Sequence, residues 1–339
     1  MTAQRTQEDL TMRALRWDGP DEVVAVDVAR PSVRNGWVRV AVAYTGLCGT
    51  DLHIVSGHHP RAVPGLVIGH EISGTLAEPS SDPATGDLPA GTKVVVNPLL
   101  SCGSCPTCLS GRPHTCARLA LLGIDAPGGA AAEVAVPGGS LVPLPDDADL
   151  AAAAFAEPLA VAVRAVRRSR LAIGEDVVVV GAGPVGLAVA LCARQAGAGS
   201  VRVVETAPAR REVAAGLGLD VAESAPDAAA SVAFDCASHP AVAARLGALA
   251  APAGRVVVVG VYPGLTPIDL QAVTFKELEV IGTRVYARDD LATAARMITS
   301  GTFDPRPLLT RIVDVDDAPA AIAGLTSGRD VKVLVRGGA

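Results

Sequence analysis

Four consecutive valines, Val177–Val180, run straight into Gly181-Ala182-Gly183-Pro184-Val185-Gly186, and this segment constrains the fold more than any other. A buried strand must end in a tight turn there, and a helix must begin. The first glycine makes the turn, the second lets backbone approach a pyrophosphate, and the third lets the helix pack on the strand. The free N–H groups of the helix N-terminus then face the phosphates. Glu205 ends the next predicted strand, 19 residues beyond Gly186, where a carboxylate grips ribose hydroxyls. It would repel a 2′-phosphate, so NAD is expected over NADP. Arg210 and Arg211 pull the other way, since a nearby arginine accommodates that phosphate. The apolar stretch Val177–Ala193 resembles a membrane span only until its glycines and proline are counted.

Around this segment strands and helices alternate. The pattern predicts strands at Val177–Val180, Val201–Val204, Val232–Asp235, Arg255–Gly260 and Leu278–Gly282, with helices Pro184–Gln195 and Pro208–Leu217. That alternation is the sequence form of a doubly wound parallel sheet, an α/β fold. Before it, from Met12 to about Leu150, the chain reads as short β-runs such as Val38–Ala43, Lys93–Val96 and Ala132–Val136, separated by Gly and Pro. A long Ala/Val-rich helix, Ala151–Leu171, joins the two regions. After Asp289 come a helix to Ser300 and a last run, Val331–Val335. At 339 residues, half of them hydrophobic, two domains are expected. Aromatics are only 3%, so Val, Ala and Leu must supply the packing. The net charge of −6 gives no footprint for nucleic acid or an anionic membrane. The polar opening Met1–Leu10 reads as neither signal peptide nor anchor, and a cytoplasmic location is expected.

Four of the seven cysteines, Cys102, Cys105, Cys108 and Cys116, fall within fifteen residues of a Gly/Ser/Pro-rich loop. Four thiolates at that spacing reach one tetrahedral Zn²⁺ and leave no open position, so the expected site is structural. The alternatives are two disulfides, which a cytoplasmic chain disfavours, or a zinc knuckle, which lacks a basic or aromatic stripe here.

A second constellation is dispersed: Cys48-Gly49-Thr50-Asp51-Leu52-His53, then Gly69-His70-Glu71, then Ala156-Glu157-Pro158-Leu159. A thiolate, an imidazole and a carboxylate can hold zinc with one position open for water or substrate. Singly, each has a plainer reading: a small buried hydrophobe, a core histidine, a charge at a helix start.

These motifs occur in the order found in medium-chain zinc-dependent alcohol dehydrogenases, and the chain resembles that family from Met12 to its end. The segments resemble most closely the branch containing sorbitol, butanediol and threonine dehydrogenases. The resemblance implies a GroES-like β-rich catalytic domain over residues 12–155, with a structural zinc lobe at 98–118. A Rossmann NAD-binding domain over 156–290 and a return to the catalytic domain over 291–339 complete it, with the active site in the cleft between the domains. It further implies that Cys48 and His70 are catalytic-zinc ligands, with Glu157 or Glu71 as the third. Two departures stand out. The segment usually rich in Phe and Tyr reads Gly128-Gly129-Ala130-Ala131-Ala132-Glu133-Val134, and the customary Gly-Asp before Lys93 is Gly91-Thr92.

The expected activity is hydride transfer between NAD and a secondary alcohol or ketone, on a polyol, sugar or cyclitol. Thr50 would take the alcohol proton, His53 would pass it to solvent, and Asp51 would orient a ligand. His58 and His59 face either substrate or solvent. The competing readings are an aldehyde or enone reductase of the same family and a catalytically silent nucleotide-binding protein. A dimer or tetramer is expected, with the strand around Val280 as its seam.

Overall fold

The computed structural model describes residues 11–224, 230–262 and 264–338, so the Met1–Leu10 reading lies outside it. Two compact units emerge. One holds the chain up to Glu157 together with Leu291 onward, the other Pro158–Asp290.

The first unit is built on a seven-stranded sheet. Its path runs Leu141–Pro143, Lys93–Val96, Glu71–Leu76, Trp37–Leu47, Lys332–Arg336, Leu309–Val313, and Glu133–Pro137 also pairs with Trp37–Leu47. Trp37–Leu47 is the organising strand, because its alternation places Val38, Val40 and Val42 in a core with Ile72, Val94 and Val134. Each such valine contributes about 1.5–3 kcal/mol by leaving water. The strand Lys332–Arg336 comes from the far end of the chain and pairs antiparallel with it, Val333 opposite Leu47. A smaller sheet joins Thr11–Gly19 to Glu22–Ala29 and Leu66–Val67.

One short helix, Gly49–Val55, was not legible in the β-rich pattern. It exists because Cys48 caps it: the sulfur accepts the Thr50 N–H, while the Asp51 carboxylate reaches back to the Cys48 N–H. The predicted helix Ala151–Leu171 needs correction. It is two helices, Leu150–Ala153 and Ala156–Ser169, with a break at Ala154 and Phe155. Pro158 is the cause, since it has no N–H to offer the Ala154 carbonyl and its ring crowds that group.

The second unit is a six-stranded, wholly parallel sheet in the order Asp220–Ala222, Ser200–Val204, Asp176–Val180, Ala230–Asp235, Ala250–Val258, Glu279–Gly282. The central strand Asp176–Val180 is buried after its first residue, which explains its unbroken run of valines. The chain goes from that strand to one side of the sheet, then crosses to the other. The crevice at this reversal is where α/β sheets take ligands. Among the described residues no helix is long and apolar enough to cross a membrane.

Candidate metal centres and nucleotide crevice

Strand and helix ends bring the dispersed constellation together within the first unit. Cys48 ends the Trp37–Leu47 strand and caps the next helix, and His70-Glu71 opens the strand Glu71–Leu76, whose Glu71 pairs with Gly46. Glu157 arrives on the first turn of Ala156–Ser169. Cys48 Sγ lies 3.1 Å from His70 Nε2. Two donors on one tetrahedral zinc stand about 3.5 Å apart, so the pair fits a shared ion. The ligand atoms of Cys48, Asp51 and His70 lie within 4.8 Å of one another, as do those of His70, Glu71 and Glu157.

His70, Glu71, Asp51 and Glu157 are all buried. Asp51 accepts hydrogen bonds from Cys48 N at 2.9 Å and Gly69 N at 3.2 Å, and its other neighbour is His70 Nδ1 at 3.8 Å. One carboxylate therefore braces both sides of the Cys48–His70 pair. Burial pushes the His70 pKa down, but the Cys48 thiolate, Asp51 and Glu157 outweigh it and leave His70 well above its ordinary value. Such a concentration of anionic donors around one imidazole is the electrostatic signature of a cation site. Thr50 is half-buried beside the Cys48 sulfur, and His53 lies on the exposed side of the same helix. His58 is exposed and bonds the Ser56 hydroxyl at 2.9 Å. His59 is half-buried, and burial together with Arg61 holds its pKa below the usual value. Arg61 in turn bonds the Leu119 carbonyl and pairs with Asp125 at 3.1 Å, tying this loop to the one beyond the cysteines.

Sequence reasoning missed Lys332. Its side chain is fully buried, and Nζ donates to both oxygens of Glu71 at 2.6 and 2.9 Å and to the Leu47 carbonyl at 3.1 Å. Burial alone would lower the lysine pKa, yet Glu71 raises it above the ordinary value. The one available signal was a lysine beside the apolar run Val333-Leu334-Val335.

The four-cysteine loop closes on itself. Sulfur separations are 3.4 Å for Cys105–Cys108, 3.8 Å for Cys105–Cys116 and 4.0 Å for Cys102–Cys108. Tetrahedral Zn–S bonds of about 2.3 Å place sulfurs roughly 3.8 Å apart. All four cysteines are free, so the disulfide alternative fails. The Ser104 N–H and then Arg118 stabilise the Cys102 thiolate and bring its pKa to about 5; the Thr107 hydroxyl leads in bringing Cys105 to about 6. Cys102 and Cys105 are thus prepared to present thiolates at neutral pH, whereas burial and the sulfurs around it push Cys108 up to about 11.

In the second unit a crevice of about 670 Å³ opens at the strand ends, lined by Gly181, Gly183, Glu205, Arg210, Cys236 and His239 among others. Gly181 has φ +101°, which only glycine adopts without strain, and a Cβ on Gly186 would stand 1.9 Å from the Gly181 carbonyl oxygen. A Cβ on Gly183 would meet nothing within 4 Å, so the space in front of it is open to a ligand. Pro184 and Val185 open the helix Pro184–Gln195. Glu205 is buried, its carboxylate accepting the Ala182 and Ala207 N–H groups, both at 2.9 Å. Arg211 is committed to the Glu205 and Thr206 carbonyls, whereas Arg210 lines the crevice.

Comparison with known proteins gives this geometry a class. Residues 34–146 match the alcohol dehydrogenase GroES-like domain, and residues 184–300 match the zinc-binding dehydrogenase family. A 2-dehydro-3-deoxy-L-galactonate 5-dehydrogenase of Pseudoalteromonas atlantica is 37% identical over 88% of this chain and 91% of its own length. An L-galactonate-5-dehydrogenase of Escherichia coli is 33% identical over 96% of this chain and 98% of its own. The crystal structure of an E. coli alcohol dehydrogenase, described as short-chain and complexed with NADH, matches with a TM-score of 0.88. It is 28% identical, over 96% of this chain and 99% of that one. A zinc-binding oxidoreductase is the class so defined. The chain belongs to the medium-chain zinc-type alcohol dehydrogenase family, with a GroES-like fold and a Rossmann-type parallel sheet.

Proposed function

We propose that this enzyme oxidises a secondary hydroxyl of a polyol or sugar acid with NAD, using a zinc held by Cys48, His70 and Glu157 or Glu71. The observation that carries this reading is the Cys48–His70 pair, 3.1 Å apart, with His70 and the neighbouring carboxylates buried. The names of the two galactonate dehydrogenases support a sugar-acid substrate. When bound, zinc supplies Lewis acidity to the alcohol oxygen and the dinucleotide accepts hydride.

The chain's own residues do the rest. Thr50 accepts the proton of the reacting hydroxyl while giving up its own, which passes by way of the ribose hydroxyl to His53, at the solvent side of the same helix, and from there to water. Asp51 holds the backbone at Cys48 and at Gly69, next to His70, so that both donors keep their places. Glu205 receives the ribose hydroxyls and disfavours a 2′-phosphate, while the backbone at Gly181–Gly186 holds the pyrophosphate. Cys102, Cys105, Cys108 and Cys116 hold a second, structural zinc.

The division into a catalytic domain at 12–155, a nucleotide domain at 156–290 and a return at 291–339 accompanies this reading. So do a cytoplasmic location and a homodimer or tetramer without nucleic-acid or membrane partners. The edge strand Glu279–Gly282, with Val280 and the neighbouring Phe275 exposed, supports the dimer seam. The test is a panel of aldonates, polyols and cyclitols, each with NAD and NADP, with and without a zinc chelator. NADH formation from a hydroxylated substrate, abolished by chelation, is expected. Metal-independent turnover, or NADH binding with no substrate across the panel, would overturn the proposal.

A further inference from the structure

We propose that Tyr262 is a positioning residue for the dinucleotide: it holds the crevice wall Cys236–His239 against the glycine turn, and so sets how tightly the adenosine half binds. This rests on the reading of the crevice as the dinucleotide site.

The wall is a short loop that leaves the strand Ala230–Asp235 at its carboxyl end, where parallel sheets take ligands. Cys236, Ala237 and His239 line the crevice, whereas Tyr262 does not. On one side the loop abuts the turn at Gly181. A Cβ there would stand 3.2 Å from both the Ala237 nitrogen and the Cys236 carbonyl carbon. Further along, the loop is bent hard. Ser238 has φ +53°, a left-handed conformation that its Cβ disfavours, and a Cβ on Gly260 would lie 1.8 Å from Ser238 Oγ.

A loop bent this way needs a tether, and Asp235 supplies it. Its carboxylate is buried, and one oxygen accepts the Ala237 and Ser238 N–H groups at 3.1 and 3.2 Å. The other oxygen accepts the Tyr262 hydroxyl at 2.5 Å, its one donor among the described residues. Tyr262 follows the neighbouring strand Ala250–Val258, whose Val258 pairs with Asp235, and its hydroxyl lies 3.5 Å from the His239 carbonyl oxygen. One phenol therefore reaches both ends of the wall. Burial and then the carboxylate hold its pKa above the ordinary value, so it stays the donor throughout the neutral range. Without that hydroxyl a buried anionic oxygen loses its partner, and the loop must shift to give it water. None of these residues belongs to the metal cluster, so the chemical step is spared.

The test titrates the full-length enzyme with NADH by fluorescence and with AMP by calorimetry, and measures kcat at saturating NAD. Tyr262→Phe should weaken AMP and NADH by the same factor, about tenfold, and leave kcat within about twofold of wild type. Asp235→Asn keeps an acceptor for the two N–H groups and offers its own amide to the phenol oxygen, so binding should stay within about threefold of wild type. Adding Tyr262→Phe to Asp235→Ala should weaken binding no further than Asp235→Ala alone, because the tether is already cut. If either Tyr262→Phe or Asp235→Ala fails to fold, the other, set against Asp235→Asn, decides the matter. Unchanged affinities in Tyr262→Phe, a fall in kcat with affinity intact, or additive losses in the double variant overturn the role of Tyr262. A wild-type enzyme that binds neither AMP nor NADH defeats the dinucleotide reading itself.

Discussion

The two metal clusters of the first unit differ in nearly every physical respect. The lobe draws four identical donors from fifteen consecutive residues, three of them half-exposed, on a loop with little apolar packing of its own. The other cluster draws unlike donors from three distant segments, all but Cys48 buried, and braces them with Asp51 and the Lys332–Glu71 pair. Saturated soft donors on a loop make a staple, which the ion folds. Mixed donors seated on a sheet and two helices make a site that the protein folds first and the ion then enters. On the proposed reading, the difference separates a metal that holds structure from one that does chemistry.

Four variants or treatments break or sharpen that contrast. Cys105→Ala should reduce bound zinc from two ions to one and destabilise the fold by on the order of 4 kcal/mol, lowering Tm by about 10 °C. Turnover per folded molecule should stay within about threefold of wild type; a complete loss of activity with an intact fold would mean the lobe is not merely a staple. Thr50→Ala should keep both zincs and lower kcat about 10²-fold. An unchanged kcat removes Thr50 from the proton path. Asp51→Asn should weaken the catalytic metal by about tenfold in competition with a chelator, leaving the lobe metal untouched. The smallest effect concerns pH. The folded-state Cys102 pKa, near 5, lies below the ordinary thiol value, so its thiolate's contribution is fully present above that ordinary value and is lost progressively as pH falls from there to 5. In chelator-treated protein at pH 6.5, mass spectrometry should find Cys102 alkylated well before Cys192, whose pKa burial raises to about 12. Equal rates would contradict the shift.

The same contrast explains what the sequence made legible. The lobe and the Gly181–Gly186 turn are local: their chemistry needs only neighbours in the chain, so spacing alone announces them. The parallel sheet was readable because buried strands must be valine runs. Cys48, His70 and Glu157 were found through their motif contexts, but their meeting depends on strand pairing and a helix start far along the chain. Lys332 left only one trace, its place beside an apolar run, and Gly46 left none. A lysine at a strand end normally reads as solvent-facing, and nothing near it in sequence reveals that Glu71 waits 261 residues away. The break at Ala154 was announced by Pro158 and overlooked because alanine and valine continue on both sides.

The most direct test of the central assignment is metal content measured alongside turnover in His70→Ala. Two zinc ions per chain in the wild type should become one, with NADH still bound in fluorescence titration and substrate-dependent NADH formation reduced by on the order of 10⁴-fold or more. Two zinc ions retained together with undiminished turnover would contradict the account.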